Sequence, residues 1–156
     1  MPWWDIIGGL LLAIALSKFY NTNLTLSVAL TATIFCLLPD LDFFIWLKKH
    51  NWKIDKWAHE HRDTLHFPVI YLLSGYLLVL FFENSFYALL FFLSSMLHFL
   101  HDSIGIGWGV KWLFPFSKKN YKFFTRQHLG EKRRIIAFWT PEELKKEVEA
   151  RGENGW

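Results

Sequence analysis

Aspartate and histidine residues are concentrated in three short stretches of this sequence, which read LPDLD at residues 38–42, HEHRDTLH at residues 59–66 and HFLHD at residues 98–102. Carboxylates and neutral imidazoles form a mixed oxygen and nitrogen donor set, which suits Zn²⁺, Mn²⁺ or Fe²⁺ better than Ca²⁺. The three clusters therefore predict a divalent metal site that holds one or two ions, with zinc or manganese favoured. The candidate ligands are Asp40, Asp42, His61, His66, His98 and Asp102.

The spacing within two of the clusters indicates how their side chains could meet. His98 and Asp102 are four residues apart, so a helix places them on one face, one turn apart, with His101 within reach of that face. Asp40 and Asp42 are two residues apart and would point to opposite sides of a helix. We therefore expect a locally extended backbone after the preceding proline, which directs both carboxylates inward.

The central cluster needs a change of backbone conformation to bring His61 and His66 together, because they are five residues apart. The Phe67-Pro68 pair predicts the start of a helix directly after them. Each cluster alone also suits solvated helix caps or a structural hydrogen bond, but charged groups at the ends of buried helices are costly unless they are paired or metal-bound. Four further polar residues are interpreted as interfacial groups: His50, His59, Glu60 and His128.

Four apolar segments must position these clusters, and they comprise Ile6–Phe19, Leu24–Leu38, Phe67–Phe82 and Phe86–Leu100. Each is shorter than the roughly 20 residues that cross a hydrocarbon core. Each is nevertheless apolar all round, and flanking Trp and Tyr residues could extend it into the interface. We predict an all-α fold, a small helical bundle of about four short transmembrane helices with the metal site at their cytoplasmic ends. The alternative is a soluble or monotopic bundle.

The composition and the distribution of charge agree with a membrane protein. The 156 residues are 53% hydrophobic and 19% aromatic, which excludes disorder, and a single cysteine excludes a disulfide scaffold. The run before Ala13-Ile14-Ala15 is faintly similar to a cleavable signal peptide, but no lysine or arginine precedes it. If the four segments span the membrane, 16 of the 17 lysines and arginines lie on one side and Lys18 alone on the other. Because lysine and arginine are enriched on the cytoplasmic side of membrane proteins, this bias predicts cytoplasmic termini.

The length suits one domain. We assign residues 1–130 to a membrane-embedded, metal-dependent hydrolase-like domain and residues 131–156 to a polar C-terminal tail of the same domain. Within the tail, Thr140 as the N-cap, Pro141 at the first helical position and two glutamates after it predict a short helix that Gly152 ends.

Four motifs follow one another in a recognisable order: FCLLPDLD at residues 35–42, HRDTLH at 61–66, LHFLHD at 97–102 and GWGVKWLFPFS at 107–117. In order and spacing they resemble the YdjM-type family of predicted membrane-bound metal-dependent hydrolases, over about residues 30–120. The resemblance implies a small helical protein of the prokaryotic inner membrane. It also implies that the six candidate ligands bind metal or are immediate partners of the residues that do.

The sequence departs from the family motifs at several positions. Asp63 replaces a glycine, Leu65 a threonine and Phe67 a serine, and all three lie in the central cluster. The family also tends to carry a histidine just before the first helix, for which Asp5 is the only candidate substitute here. These departures bear on substrate specificity and on activity itself.

The chemistry that this donor set supports is metal-assisted hydrolysis, in which a bound cation lowers the pKa of a water molecule and polarises the scissile group. Asp40 or Asp102 would accept the proton of that water. Arg62 would hold an anionic group, since its fork geometry suits a phosphate. The predicted catalytic residues are therefore Asp40, Asp102 and Arg62.

Basic residues after the third cluster indicate the kind of partner. Lys111, Lys118 and Lys119, together with the membrane setting, favour a phosphoester substrate, phospholipids and other lipid-linked esters included. They also favour contact with anionic membrane lipids over contact with nucleic acid. The competing interpretation is a non-enzymatic membrane protein with a structural or transported-metal site or a partner-binding role. An enzyme needs an open coordination position, whereas a structural site is closed by protein ligands.

Overall fold

The computed structural model describes residues 2–105, 107–128 and 131–151. All four predicted apolar segments form helices, and the third begins at Pro68 as predicted. Two 3₁₀ segments, two further helices and two strands complete the described chain. The elements in order are α1 (Pro2–Phe19), α2 (Leu26–Leu37), a 3₁₀ turn (Leu38–Asp40), α3 (Leu41–Lys49), a 3₁₀ helix (Ala58–Asp63), α4 (Pro68–Phe82), α5 (Ser85–Ile104), β1 (Asn120–Thr125), β2 (Arg134–Trp139) and α6 (Pro141–Arg151).

The predicted all-α fold is wrong between residues 120 and 139, where β1 and β2 form an antiparallel pair. Asn120 lies opposite Trp139 and Phe123 lies opposite Ile136. Both strands are rich in aromatic and β-branched residues, which favour extended backbone. The described structure is therefore mostly helical with one small two-stranded sheet.

The first compact unit contains the residues up to Asp40 together with Ile70–His98. Glycine allows close helix packing here: a Cβ on Gly9 of α1 would lie 3.0 Å from the backbone oxygen of Ala32 in α2. The buried core consists of small and apolar side chains from three helices: Ala13, Leu16, Val28, Ala32, Phe86 and Leu90.

Apolar surface remains exposed on these helices. Leu26, Leu30 and Ile34 recur at a spacing of four along α2, and all three are exposed. Two continuous helical stretches, Leu26–Lys49 and Ser85–Ile104, are long and apolar enough to cross a membrane. The exposed apolar face and the two stretches are typical of a membrane protein, while four transmembrane helices stay a prediction.

The second compact unit contains Leu41–Val69 and the chain from Phe99 onward. Its core joins the sheet to α6 through Trp108, Ala137, Trp139, Leu144 and Val148, with Trp57 packed against them. The predicted domain boundary at residue 130 stays a prediction.

The start of α6 is confirmed at Pro141. The N–H of Thr140 donates to the Glu143 carboxylate at 2.8 Å, and the N–H of Glu143 donates back to the Thr140 hydroxyl at 3.3 Å. This reciprocal pair of hydrogen bonds is a capping box, which satisfies backbone donors that the helix itself leaves unpaired. Gly152, the predicted end of the helix, lies outside the described residues.

Candidate metal centre

The two aspartates of the LPDLD motif lie on helical backbone, so the predicted extended conformation is wrong. Asp40 ends the 3₁₀ turn and Asp42 belongs to the first turn of α3. A proline is tolerated in the first turn of a helix, so Pro39 does not force the chain to be extended. As a consequence the two carboxylates differ in burial: Asp42 is 1% exposed, whereas Asp40 is only half-buried.

In the first unit, Asp5, His98 and Asp40 form a set that we call the first triad. Nδ1 of His98 lies 3.6 Å from Oδ1 of Asp5, and its Nε2 lies 3.6 Å from Oδ1 of Asp40. Asp5 and His98 are both buried. Each ring nitrogen of His98 therefore faces a carboxylate.

In the second unit, Asp42, His66 and Asp102 form the second triad, which has the same order of groups. Nδ1 of His66 lies 2.9 Å from Oδ2 of Asp42, and its Nε2 lies 3.3 Å from Oδ2 of Asp102. Oδ2 of Asp42 also accepts a hydrogen bond from the N–H of Leu65 at 3.0 Å. Burial lowers the pKa of His66, but the hydrogen bonds to Asp102 and Asp42 outweigh burial and raise this pKa above its usual value.

Arg62 adds a buried cation to the second triad. Its Nη2 donates to Oδ1 of Asp102 at 2.9 Å, and its side chain is only 11% exposed. A Cβ on Gly107, whose φ is +123°, would collide with the guanidinium, so a residue without a side chain makes this approach possible. Nε and Nη1 of Arg62 are buried with no hydrogen-bond partner in the described part of the chain. Two charged donors of this guanidinium therefore lack an acceptor among the described residues.

His61 presents one nitrogen as a possible ligand. Its Nδ1–H donates to the carbonyl of Ala58, which leaves the lone pair of Nε2 unprotonated. Burial and the nearby charge of Arg62 lower the pKa of His61. A neutral imidazole is the form that binds metal.

The predicted ligands fall into two groups. Within each group, one donor atom from every residue lies within 4.8 Å of the others. Asp40, His66, His98 and Asp102 form one group that could hold a metal ion, and Asp42, His61 and His66 form the other. In the second group, Oδ1 of Asp42 is buried and has no hydrogen-bond partner among the described residues, as expected of an unused ligand atom. Each of the six predicted ligands belongs to at least one of these groups, and neither group includes His101.

The departures from the family motifs are accommodated within the second unit. The carboxylate of Asp63 pairs with Nζ of Lys111 at 2.6 Å. The side chain of Leu65 cannot donate a hydrogen bond as threonine can, but its backbone N–H does so to Asp42. The ring of Phe67 stacks on Phe114 with centroids 4.2 Å apart. None of these side chains displaces a residue of the second triad.

Three of the four residues interpreted as interfacial groups line a cleft of about 450 Å³ in the second unit. Burial lowers the pKa of His59 and raises that of Glu60. The fourth, His128, pairs with Glu147 at 2.5 Å instead. The cleft is lined by His50, Trp57, His59, Glu60, Asp63, Lys111, Asn120, Pro141, Leu144 and Lys145.

Sequence reasoning did not pair Asp5 with His98, because 93 residues separate them. A signal was nevertheless present, since Asp5 is the only acidic residue before Asp40 and belongs to a helix that is otherwise strongly apolar. An ionisable residue in such a segment is by default a candidate functional residue.

Comparison with known families gives one match. The family model described as YdjM inner membrane protein matches residues 5–147, which include all three Asp and His clusters. No curated protein matches the chain, and no solved structure does. Together with the two helical stretches that are long enough to cross a bilayer, the match makes this chain a membrane protein. The chain belongs to the YdjM inner membrane protein family.

Proposed function

We propose that this protein is a membrane-bound, metal-dependent hydrolase that cleaves a phosphoester, with zinc or manganese as its cofactor. The observation that carries the proposal is the buried guanidinium of Arg62. It is held by Asp102 of the second triad and has two donors without a hydrogen-bond partner in the described structure. Anionic oxygens such as those of a phosphate are the acceptors that charged guanidinium donors favour, here through separate hydrogen bonds.

The donor set fits a divalent cation. His66 and His98, with the carboxylates of Asp40 and Asp102, would hold the ion. Asp42 and Asp5 would then act from outside the ligand sphere, because each faces the Nδ1 atom of one histidine and so orients its ring. A second ion would find ligands in Oδ1 of Asp42 and Nε2 of His61. When bound, the cation supplies an acidified water and polarises the scissile bond.

The charge of Arg62 and the exposure of the two aspartates assign the remaining roles. Arg62 binds the phosphoryl group and neutralises its charge. Asp40 is favoured over Asp102 as the proton acceptor, through the carboxylate oxygen that does not bind the ion, because Asp40 is half-exposed whereas Asp102 is engaged by Arg62 and His66. The cleft beside the 3₁₀ helix of Arg62 has Lys111 and Lys145 in its wall, and we propose that it takes the rest of the substrate.

The proposed topology has four transmembrane helices, and it places both termini and the metal site on the cytoplasmic side of the prokaryotic inner membrane. It rests on the bias of 16 of 17 basic residues toward one side. Fusions of alkaline phosphatase to the C-terminus should be inactive, whereas fusions after Asn23 should be active. The reverse pattern would overturn the orientation.

The activity is tested on protein purified from membranes in detergent and loaded with Zn²⁺ or Mn²⁺. We expect chelator-sensitive hydrolysis of at least one member of a panel of phosphomonoesters, phosphodiesters and phospholipids. Arg62→Lys keeps the charge but loses the fork, so turnover should fall at least about tenfold, the equivalent of one lost charged hydrogen bond, while bound metal stays constant. Arg126→Lys, an exposed arginine outside both triads, is the matched control and should leave turnover unchanged.

A non-enzymatic metal site is the second candidate. It is favoured by the pairing of both ring nitrogens of His66 and of His98 with carboxylates, because protein groups alone could then close the coordination sphere. Fully metallated protein that shows only chelator-insensitive background on the whole panel would support this candidate and contradict the hydrolase.

A further inference from the structure

The two faces of the β1–β2 hairpin differ in what covers them. On one face, Ala137 and Trp139 are buried in the core of the second unit. Residues directly opposite each other in an antiparallel pair share a face. The other face therefore carries the cross-strand pairs Tyr121 with Phe138 and Phe123 with Ile136.

That second face is apolar, and it is partly or fully exposed along its length. Ile136 is 53% exposed, and Tyr121, Phe123 and Phe138 are also accessible to solvent. The rings of Tyr121 and Phe138 lie 6.2 Å apart, and Trp112 extends the aromatic surface with its ring 6.1 Å from that of Phe123. A soluble protein would normally cover such a continuous apolar face.

Two more apolar side chains are exposed near the loop that connects the two strands. Ile135 is 73% exposed, and Phe124 is exposed as well. Phe124 also has a φ of +54°, a left-handed conformation that is rare for a bulky side chain.

The segment of the chain that contains this face is strongly basic. Between residues 111 and 134 the sequence has eight lysines and arginines and a single acidic residue, Glu131. Nζ of Lys119 lies 4.4 Å from the ring centroid of Phe138, so cations border the apolar surface directly. The exposed basic residues are Lys118, Arg126, Lys132, Arg133 and Arg134.

We propose that this hairpin face docks onto the interfacial region of an anionic lipid bilayer, independently of the metal site. Aromatic side chains are enriched at the level of the lipid headgroups. Lysines and arginines that border an apolar surface are attracted to anionic lipids. A second copy of this chain fits less well, because two such faces would bring two clusters of positive charge together.

The test places a nitroxide spin label on the full chain in lipid nanodiscs. Ile136→Cys is labelled in a Cys36→Ser background, and Lys146→Cys on the exposed side of α6 is the matched control. The measurement is the accessibility of the label to oxygen, which partitions into lipid, divided by its accessibility to a nickel complex, which stays in water. In discs that contain phosphatidylglycerol, this ratio should be severalfold higher for the label at 136 than for the label at 146. In discs of phosphatidylcholine alone, the ratio at 136 should fall.

Three results would overturn the proposal. Equal ratios at the two positions would show that the face stays in water. A ratio at 136 that does not depend on lipid charge would remove the role of the basic residues. Dipolar coupling between labels at 136 on different chains would assign the face to a second copy of the protein instead.

Discussion

The two triads present the same three groups in the same order but hold them differently. In the second triad, His66 lies 2.9 and 3.3 Å from its two carboxylates, and Leu65 and Arg62 bind those carboxylates further. In the first triad, both distances from His98 are 3.6 Å, longer than a hydrogen bond between these atoms.

This difference in distance determines how strongly the carboxylates orient each histidine ring. A histidine held by short hydrogen bonds has a defined ring orientation, which favours a rigid ligand. A histidine at longer distances from its carboxylates is oriented by them less strongly. We therefore expect substitutions in the second triad to have larger effects than the matching substitutions in the first.

The largest difference is expected between the two histidines. His66→Ala should abolish metal binding, because His66 belongs to both groups of potential ligands, whereas His98→Ala should remove only one group and leave part of the bound metal. The measurement is the metal content of protein purified from membranes. His50→Ala and His128→Ala are the controls and should bind metal normally, since neither residue belongs to a group. Retention of metal by His66→Ala would contradict the assignment.

The outer carboxylates should show the same ranking with smaller effects. Asp42→Asn keeps the shape and one acceptor but removes the charge that orients His66, so we expect metal affinity to fall by about 10- to 100-fold. Asp5→Asn should lower affinity less, because the distance from Asp5 to His98 is longer. Competition with a chelator of known affinity gives both values. If Asp5→Asn lowered affinity as much as Asp42→Asn, the two triads would not differ in the way proposed.

Gly107 packs closely against Arg62, which belongs with the second triad. Disturbing this packing should lower the unfolding free energy of the protein. Gly107→Ala places a Cβ against the guanidinium at a positive φ, which should cost about 2 kcal/mol of unfolding free energy. In an Arg62→Ala background the collision is absent, so the same substitution should cost less. Thermal unfolding in detergent measures both steps. An identical cost in the two backgrounds would show that Gly107 serves only its own backbone conformation.

The sequence predicted those features that depend on local chemistry. Pro68 and the Thr140 cap mark the starts of α4 and α6, and both are confirmed. The spacing of His98 and Asp102 placed both on one helix, and α5 contains them. In each case, residues within one or two turns of each other determine the structure.

The features that sequence reasoning missed depend on distant residues or on ambiguous local signals. The hairpin lacks an Asn-Gly or Asp-Gly turn, and its alternating apolar residues are interrupted by lysines and arginines. Pro39 suits both extended backbone and the first turn of a helix, and the second alternative is the observed one. The pairing of Asp5 with His98 requires the packing of whole helices, which no local pattern contains.

The smallest effect should come from Asp63, which lies next to Arg62 but outside both triads. Its ion pair with Lys111 is partly exposed, so Asp63→Asn should change the unfolding free energy by no more than about 1 kcal/mol. The same substitution leaves Nζ of Lys111 without its carboxylate partner in the wall of the cleft, and an anionic substrate should then bind more tightly. We therefore expect a lower KM for the phosphoester with unchanged metal content. A higher KM would show that Asp63 itself contacts the substrate, and that this departure from the family motif defines a different specificity.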